Sequence, residues 1–145
     1  MDARMAIKKL NPYLNFDGNG AEAVKLYERV LGAKVETLSR FSDMPSGQAT
    51  PETKDRVMHA LLRLGADGII MISDTHPGTP FVQGTNCYLT LDFDDVADME
   101  QKFNALAEGG KVEMALNDTF WGARFGMLTD KLGVHWMFNC ELKKG

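Results

Sequence analysis

The sequence predicts an α+β fold built from two tandem modules, each a strand, a helix and three further strands (βαβββ). Three observations carry that prediction. Apolar residues alternate with polar ones over short stretches, recur at helical spacing over two longer ones, and the same order of elements occurs twice. The halves match at a constant offset of about 77 residues, in Leu14/Leu91, Phe16/Phe93, Asp17/Asp94, Leu26/Phe103, Gly32/Gly109, Lys34/Lys111 and Val35/Val112. Matches in register with matching elements imply an internal duplication. A stretch of turn formers at 75–85, with Pro77, Gly78 and Pro80, separates a first module (8–74) from a second (86–141) inside one domain of 145 residues.

Each element has a local reason. Asn11-Pro12-Tyr13-Leu14-Asn15-Phe16 alternates as a strand does and ends at Asp17-Gly18-Asn19-Gly20. A helix follows, with Ala23, Leu26, Tyr27, Val30 and Leu31 on one stripe, Asn19 at the N-cap and Gly32 as a left-handed C-cap. Residues 33–41 read as a strand and 42–55, with Pro45, Gly47 and Pro51, as a surface loop. Residues 56–64 and 68–73 form a hairpin turned by Gly65-Ala66-Asp67-Gly68. The order then restarts. Residues 88–93 are a strand, and Asp94 or Asp95 caps a helix striped by Val96, Met99, Phe103 and Leu106 and stopped by Gly109-Gly110. Residues 111–116 are a strand, and the aromatic-rich stretch from Thr119 to Cys140 supplies the final hairpin.

Composition excludes several classes of function. With 44% hydrophobic and 25% charged residues the chain reads as an ordinary globular protein. A net charge of -4 with scattered lysines and arginines offers no footprint for nucleic acid, and Lys143 and Lys144 read as a solvated tail. No apolar run approaches the roughly 20 residues of a membrane helix, and the N-terminus lacks the apolar core of a signal peptide, so the expected location is cytoplasmic. Two cysteines, Cys87 and Cys140, without a CxxC argue against a disulfide scaffold or zinc knuckle and read as core thiols. Asp17-Gly18-Asn19-Gly20 is neither a P-loop nor GxGxxG; no glycine-rich turn for S-adenosylmethionine and no GxSxG is present.

The residues also carry a resemblance. Pro12-Tyr13-Leu14 with Phe16, Glu22-Ala23 with Tyr27, Leu31-Gly32, Met58-His59-Ala60 and Ser73-Asp74 mark the first half. Thr119-Phe120-Trp121, Phe125-Gly126-Met127, Asp130, Gly133, Trp136 and Asn139-Cys140-Glu141 mark the second. Across nearly its whole length the chain resembles the glyoxalase/bleomycin-resistance/dioxygenase (vicinal oxygen chelate) superfamily, in its PhnB-like branch. The resemblance implies a curved mixed sheet with helices on the convex face, each module forming half of a cup. Strand alternation would then place Met58, Ala60, Leu62 and Leu64 against the helices and Val57, His59, Leu61 and Arg63 toward the cup. By the same parity Asn11, Tyr13, Asn15, Tyr88, Thr90, Asp92, His135, Met137 and Asn139 look inward, while Leu14, Phe16, Leu89, Leu91, Phe93, Trp136 and Phe138 pack. The implied topology also separates Cys87 from Cys140 beyond disulfide reach.

Metal-dependent members of that superfamily hold the ion on the first and fourth strands of each module. Those places fall here on Asn11, Met71, Tyr88 and Met137. Thioethers, an amide and a phenol are a poor donor set for a divalent metal, so no metal and no cofactor is expected. A divalent metal survives only as an alternative, kept open by His59 and His135. His59 is either a hydrogen-bonded core histidine or a catalytic base. Arg63 either clamps an anionic ligand or pairs with an acid such as Asp92. Phe120, Trp121 and Phe125 line a pocket mouth or plug an interface, and Tyr13 and Tyr88 donate to a ligand or fill the cup.

Three functions follow. The favoured one is a metal-free protein that sequesters or senses a small aromatic or anionic ligand, with Asn11, Tyr13, Arg63, Tyr88, Phe120, Trp121, Phe125, His135 and Met137 as ligand contacts. The second is a superfamily enzyme of the lyase, isomerase or dioxygenase type using His59. The third is a dimeric interaction protein with a vestigial site. The resemblance implies a homodimer in each, which would also cover edge strands, with no nucleic acid and no membrane partner expected.

Overall fold

The structure, a computed structural model, describes residues 6–43 and 50–142; Pro45 and Gly47 of the expected loop and the Lys143-Lys144 tail lie outside the described residues. In chain order the elements are β1 (Tyr13–Phe16), α1 (Gly20–Leu31), β2 (Lys34–Arg40), a 3-10 turn (Phe41–Asp43), β3 (Val57–Leu64) and β4 (Gly68–Asp74). There follow β5 (Leu89–Phe93), α2 (Val96–Ala107), β6 (Lys111–Asp118), β7 (Ala123–Thr129) and β8 (His135–Glu141). The strands make two four-stranded mixed sheets, ordered β1-β4-β3-β2 and β5-β8-β7-β6. In each, the first strand runs parallel to the fourth and the remaining pairs are antiparallel. This is the α+β, twice-βαβββ architecture that the periodicity predicts. Two compact units result, Met1–Thr79 and Pro80–Gly145. Among the described residues no helix is long and apolar enough to cross a membrane.

In the first unit α1 buries its whole predicted stripe, Ala23, Leu26, Tyr27, Val30 and Leu31, over Ala60, Leu62, Ile70 and Ile72. Gly32 ends the helix at φ 71°, a conformation that costs glycine nothing. Asn19 occupies the N-cap position, but its side chain makes no capping bond. Asp74, from the end of β4, replaces it. Its Oδ1 accepts from the backbone N–H of Gly18 (2.9 Å) and Gly20 (2.9 Å), and its Oδ2 from that of Val57 (2.8 Å). A Cβ on residue 20 would lie 2.9 Å from that carboxylate, which explains a glycine as the first helical residue.

The second unit repeats the plan. Asp95 caps α2 by accepting from Asp98 N–H (3.1 Å), and Met99, Phe103 and Leu106 are buried over β7 and β8. Phe103 meets Phe138 edge-on at 5.1 Å, and buried Asp130 accepts the Trp136 indole N–H at 2.9 Å.

Two expectations need correction. Simple alternation assigns Met58 to the packed face and Val57 to the open one, yet Val57 is fully buried and Met58 is exposed. The β2–β3 pairing steps from Ser39↔His59 to Arg40↔Val57, so a bulge there inverts the parity of the strand's first residues. Ala60 and Leu62, beyond the bulge, pack as expected. Cys140 is a core thiol, but Cys87 lies ahead of β5 and is exposed.

Candidate functional site

With a helix on one face of each sheet, the other face carries the polar residues that alternation singles out. In the second unit the pairing arranges that face in rows across the strands. One row runs through Lys111, Thr129 and His135; the next through Met114, Met127, Met137 and Thr90; the third through Asn117, Phe125, Asn139 and Asp92. Directly paired residues point to the same side, so these side chains share one surface.

The first row closes into a hydrogen-bonded cluster. Tyr88, one residue ahead of β5, lays its ring against His135 with centroids 5.0 Å apart and donates its hydroxyl to Glu113 Oε2 at 2.5 Å. Thr129 Oγ1 lies 2.7 Å from Glu113 Oε1 and 2.8 Å from His135 Nδ1. His135 Nε2 is 3.0 Å from the carbonyl of Gly84, which can only accept, so that nitrogen carries the hydrogen. The phenol bond above all, then Thr129 and the nearby His135 and Lys111, holds the Glu113 carboxyl below its ordinary pKa. The same bond, with the carboxylate's charge, raises the Tyr88 phenol above its own.

Glu113 reaches this position because of a bulge. Val112 pairs with Leu128 and Met114 with Met127, leaving Glu113 as an extra, unpaired residue whose side chain is re-aimed onto the open face. Residue-by-residue parity misses it. The signal that finds it is the offset of about 77, which extends by one more residue to Glu36/Glu113 in the matching runs Lys34-Val35-Glu36 and Lys111-Val112-Glu113. Glu36 is the extra residue of a bulge too, between Val35↔Leu62 and Thr37↔Leu61.

The first unit's open face is built differently. Tyr13 Oη lies 3.0 Å from His59 Nδ1, and Ser73 Oγ donates to Asn15 Oδ1 at 3.1 Å. Arg63 forms an ion pair with Glu36, while Asp92 accepts from Asn139 Nδ2 at 3.1 Å. The acid that engages Arg63 is therefore the bulge glutamate. Asn11 is half-buried just ahead of β1.

The structure brings Tyr88, His135, Met137 and Phe125 onto one face of the second unit, and Tyr13, His59 and Arg63 onto one face of the first. Phe120 and Trp121 sit at the tip of the β6–β7 hairpin, 98% and 59% exposed. Their rings meet edge-to-face at 5.0 Å, and Trp121 contacts Phe125 at 6.2 Å. Arg124 steadies that tip through ion pairs with Asp118 and with Glu100 of α2; the Asp118 bond leads in raising its guanidinium pKa.

The places implied for metal ligands do not fit a metal. Met71 lies opposite Tyr13, Met137 is flanked by Thr90 and Met127, and the Tyr88 hydroxyl is already spent on Glu113. Among the described residues no group of three or more His, Cys, Asp or Glu gathers as metal ligands do.

Comparison with known proteins agrees with the fold. The model of the Glyoxalase/Bleomycin resistance protein/Dioxygenase superfamily matches residues 9–138. The chain is 40% identical over 143 aligned residues to Protein YjdN of Escherichia coli K12, covering 90% of this chain and 93% of that one. The crystal structure of protein PA1353 from Pseudomonas aeruginosa superposes with a TM-score of 0.84 at 44% identity, covering 94% of this chain and all of that one (100%). The PhnB protein of Bacillus cereus, described as a putative 3-demethylubiquinone-9 3-methyltransferase, shares the fold with a TM-score of 0.76 at 24% identity, covering 92% and 99% of the two chains.

Proposed function

Because the chain belongs to the Glyoxalase/Bleomycin resistance protein/Dioxygenase superfamily and is PhnB-like, we propose that it is a metal-free protein that binds a small molecule, sequestering or sensing it on its polar-aromatic sheet faces. The observation that carries this reading is the donor set at the implied metal places, Asn11, Met71, Tyr88 and Met137. Neutral thioethers and an amide supply neither the charge nor the hardness that a divalent cation needs. What stands there suits an organic ligand. Phe125, Met127 and Met137 offer an adaptable apolar floor, with a few fixed polar groups around it for orientation. Open edge strands such as β6 support a homodimer, which would cover them; a monomer in light scattering overturns that part.

Elemental analysis of the purified protein, paired with a thermal-shift screen of metabolites, tests the core of the reading. Metal well below one equivalent per chain is expected. At least one compound, at a hundredfold its Kd, should raise the melting temperature by on the order of 5 °C or more. A stoichiometric metal that is lost in His59→Ala overturns the metal-free reading, and a library without a single stabiliser overturns binding.

A further inference from the structure

The duplicated bulge lets one unit serve as a template for the other. In the first unit the bulge glutamate, Glu36, pairs with the guanidinium of Arg63, which stands opposite Lys34. In the second unit the residue opposite Lys111 is Thr129. The same carboxylate is therefore presented by the same backbone device, and the guanidinium that meets it is missing. Among the described residues no lysine or arginine nitrogen pairs with Glu113; the nearest positive candidate is His135, whose Nδ1 is 3.7 Å away and faces Thr129 first.

Hydrogen counting sharpens the chemistry. The Tyr88 hydroxyl hydrogen goes to Glu113, and the His135 Nε2 hydrogen to the Gly84 carbonyl. Thr129 donates its single hydroxyl hydrogen to Glu113 Oε1, so it too is spent inside the cluster, and the hydroxyl oxygen faces His135 Nδ1. What the cluster itself turns outward is lone pairs, on the phenol oxygen and on the hydrogen-bonded Glu113 carboxylate, with Lys111 at the end of the same row. Asp92, two rows away on the same face, adds a second carboxylate held by one donor. Around Glu113 such a surface favours a hydrogen-bond donor over a carboxylate or phosphate. A charge-assisted bond to a fixed carboxylate is about twice as strong as a neutral one.

We infer that Glu113 is the specificity-determining residue of the second unit's open face, and that it takes the protonated amine of a ligand whose apolar body lies along the methionine row and Phe125. This deepens the proposed small-molecule reading and rests on it. In place of the anionic ligand that Arg63 would clamp if it were unpaired, it puts a cationic one.

A matched pair of probes reads the sign of the preference: 2-phenylethylamine and phenylacetate share an aromatic body and carry opposite charges. Calorimetric titration of the full chain should show the amine binding at least about tenfold more tightly than the acid, the ratio that one charge-assisted hydrogen bond supplies. Glu113→Gln, an isosteric change, should abolish that ratio, whereas Glu36→Gln should leave it intact. Thr129→Arg, which installs the guanidinium the first unit already has, should block the amine. Phenylacetate binding as well as the amine, no amine binding at millimolar concentration, or a ratio that survives in Glu113→Gln each overturns the inference. If an amine-free metabolite then binds the same face, the small-molecule reading stands while this inference falls. If nothing in a library binds, both fall.

Discussion

Asp74 is 5% exposed, and its two oxygens take three backbone N–H groups, from Gly18, Gly20 and Val57. These are the donors that the start of α1 and the start of β3 would otherwise leave orphaned. Asp74→Ala should therefore cost on the order of 3–5 kcal/mol, the range expected when several buried donors lose a charged acceptor, and urea unfolding would show it as a lower midpoint. Asp74→Asn, which keeps one carbonyl acceptor, should cost less. An unchanged midpoint in the alanine variant would mean that water satisfies the three amides. Asp130 has the corresponding task in the second unit, accepting from Leu132 N–H, Val134 N–H and the Trp136 indole. Both aspartates stand in the motifs that carry the family resemblance, yet their roles are not readable from them. The partners of Asp74 lie 56, 54 and 17 residues away, and no local pattern encodes a contact at that range. Glu113 is hidden for the same reason, since the phenol that orients it is 25 residues upstream.

Elements are more legible than residues, because a helix or strand announces itself by period. Both helical stripes, the αL glycine after α1 and the pairing of the last hairpin follow from spacing and turn chemistry. What spacing cannot register is the bulge. One inserted residue in β2 or β6 leaves the hydrophobic alternation elsewhere intact but swings Glu36 or Glu113 onto the open face, and the shift near Met58 reverses which neighbour is buried. The glycines of the final hairpin are a partial exception, since their chemistry constrains the packing directly. A Cβ on Gly126 would stand 2.9 Å from Leu116 Cδ2 and 3.0 Å from both the Met114 carbonyl and Phe103 Cε2. Backbone φ is not the obstacle there; the close approach of α2 and β6 to β7 is. Gly126→Ala should accordingly destabilise the chain by about 1–3 kcal/mol, as overpacking does. A melting curve within experimental error of the parent would show that Phe103 and Leu116 can move aside at no cost.

For the molecule as a whole, duplication is the most informative feature, because it separates what the fold repeats from what the chain has changed. Both units repeat the helix stripe, the parallel first-to-fourth pairing and the bulge glutamate. They differ in what surrounds that glutamate: Arg63 in one corresponds to Thr129 in the other, and Asn11 stands at the offset position of Tyr88. If the missing guanidinium is what leaves Glu113 available to an amine, then removing Arg63 should make the first unit resemble the second. The Arg63–Glu36 pair is partly exposed to solvent, so its loss should cost no more than about 1 kcal/mol and leave the fold intact. In Arg63→Thr, calorimetry should therefore find two amine equivalents per chain in place of one. The new site should be the weaker, because Glu36 lacks the phenol donor that orients Glu113. In the double variant Arg63→Thr/Glu113→Gln the strong site should vanish and the weak one remain. A stoichiometry that stays at one in Arg63→Thr would show that the bulge alone does not make a receptor for a cation, and that Tyr88 and His135, rather than the vacant guanidinium place, define the second unit's site.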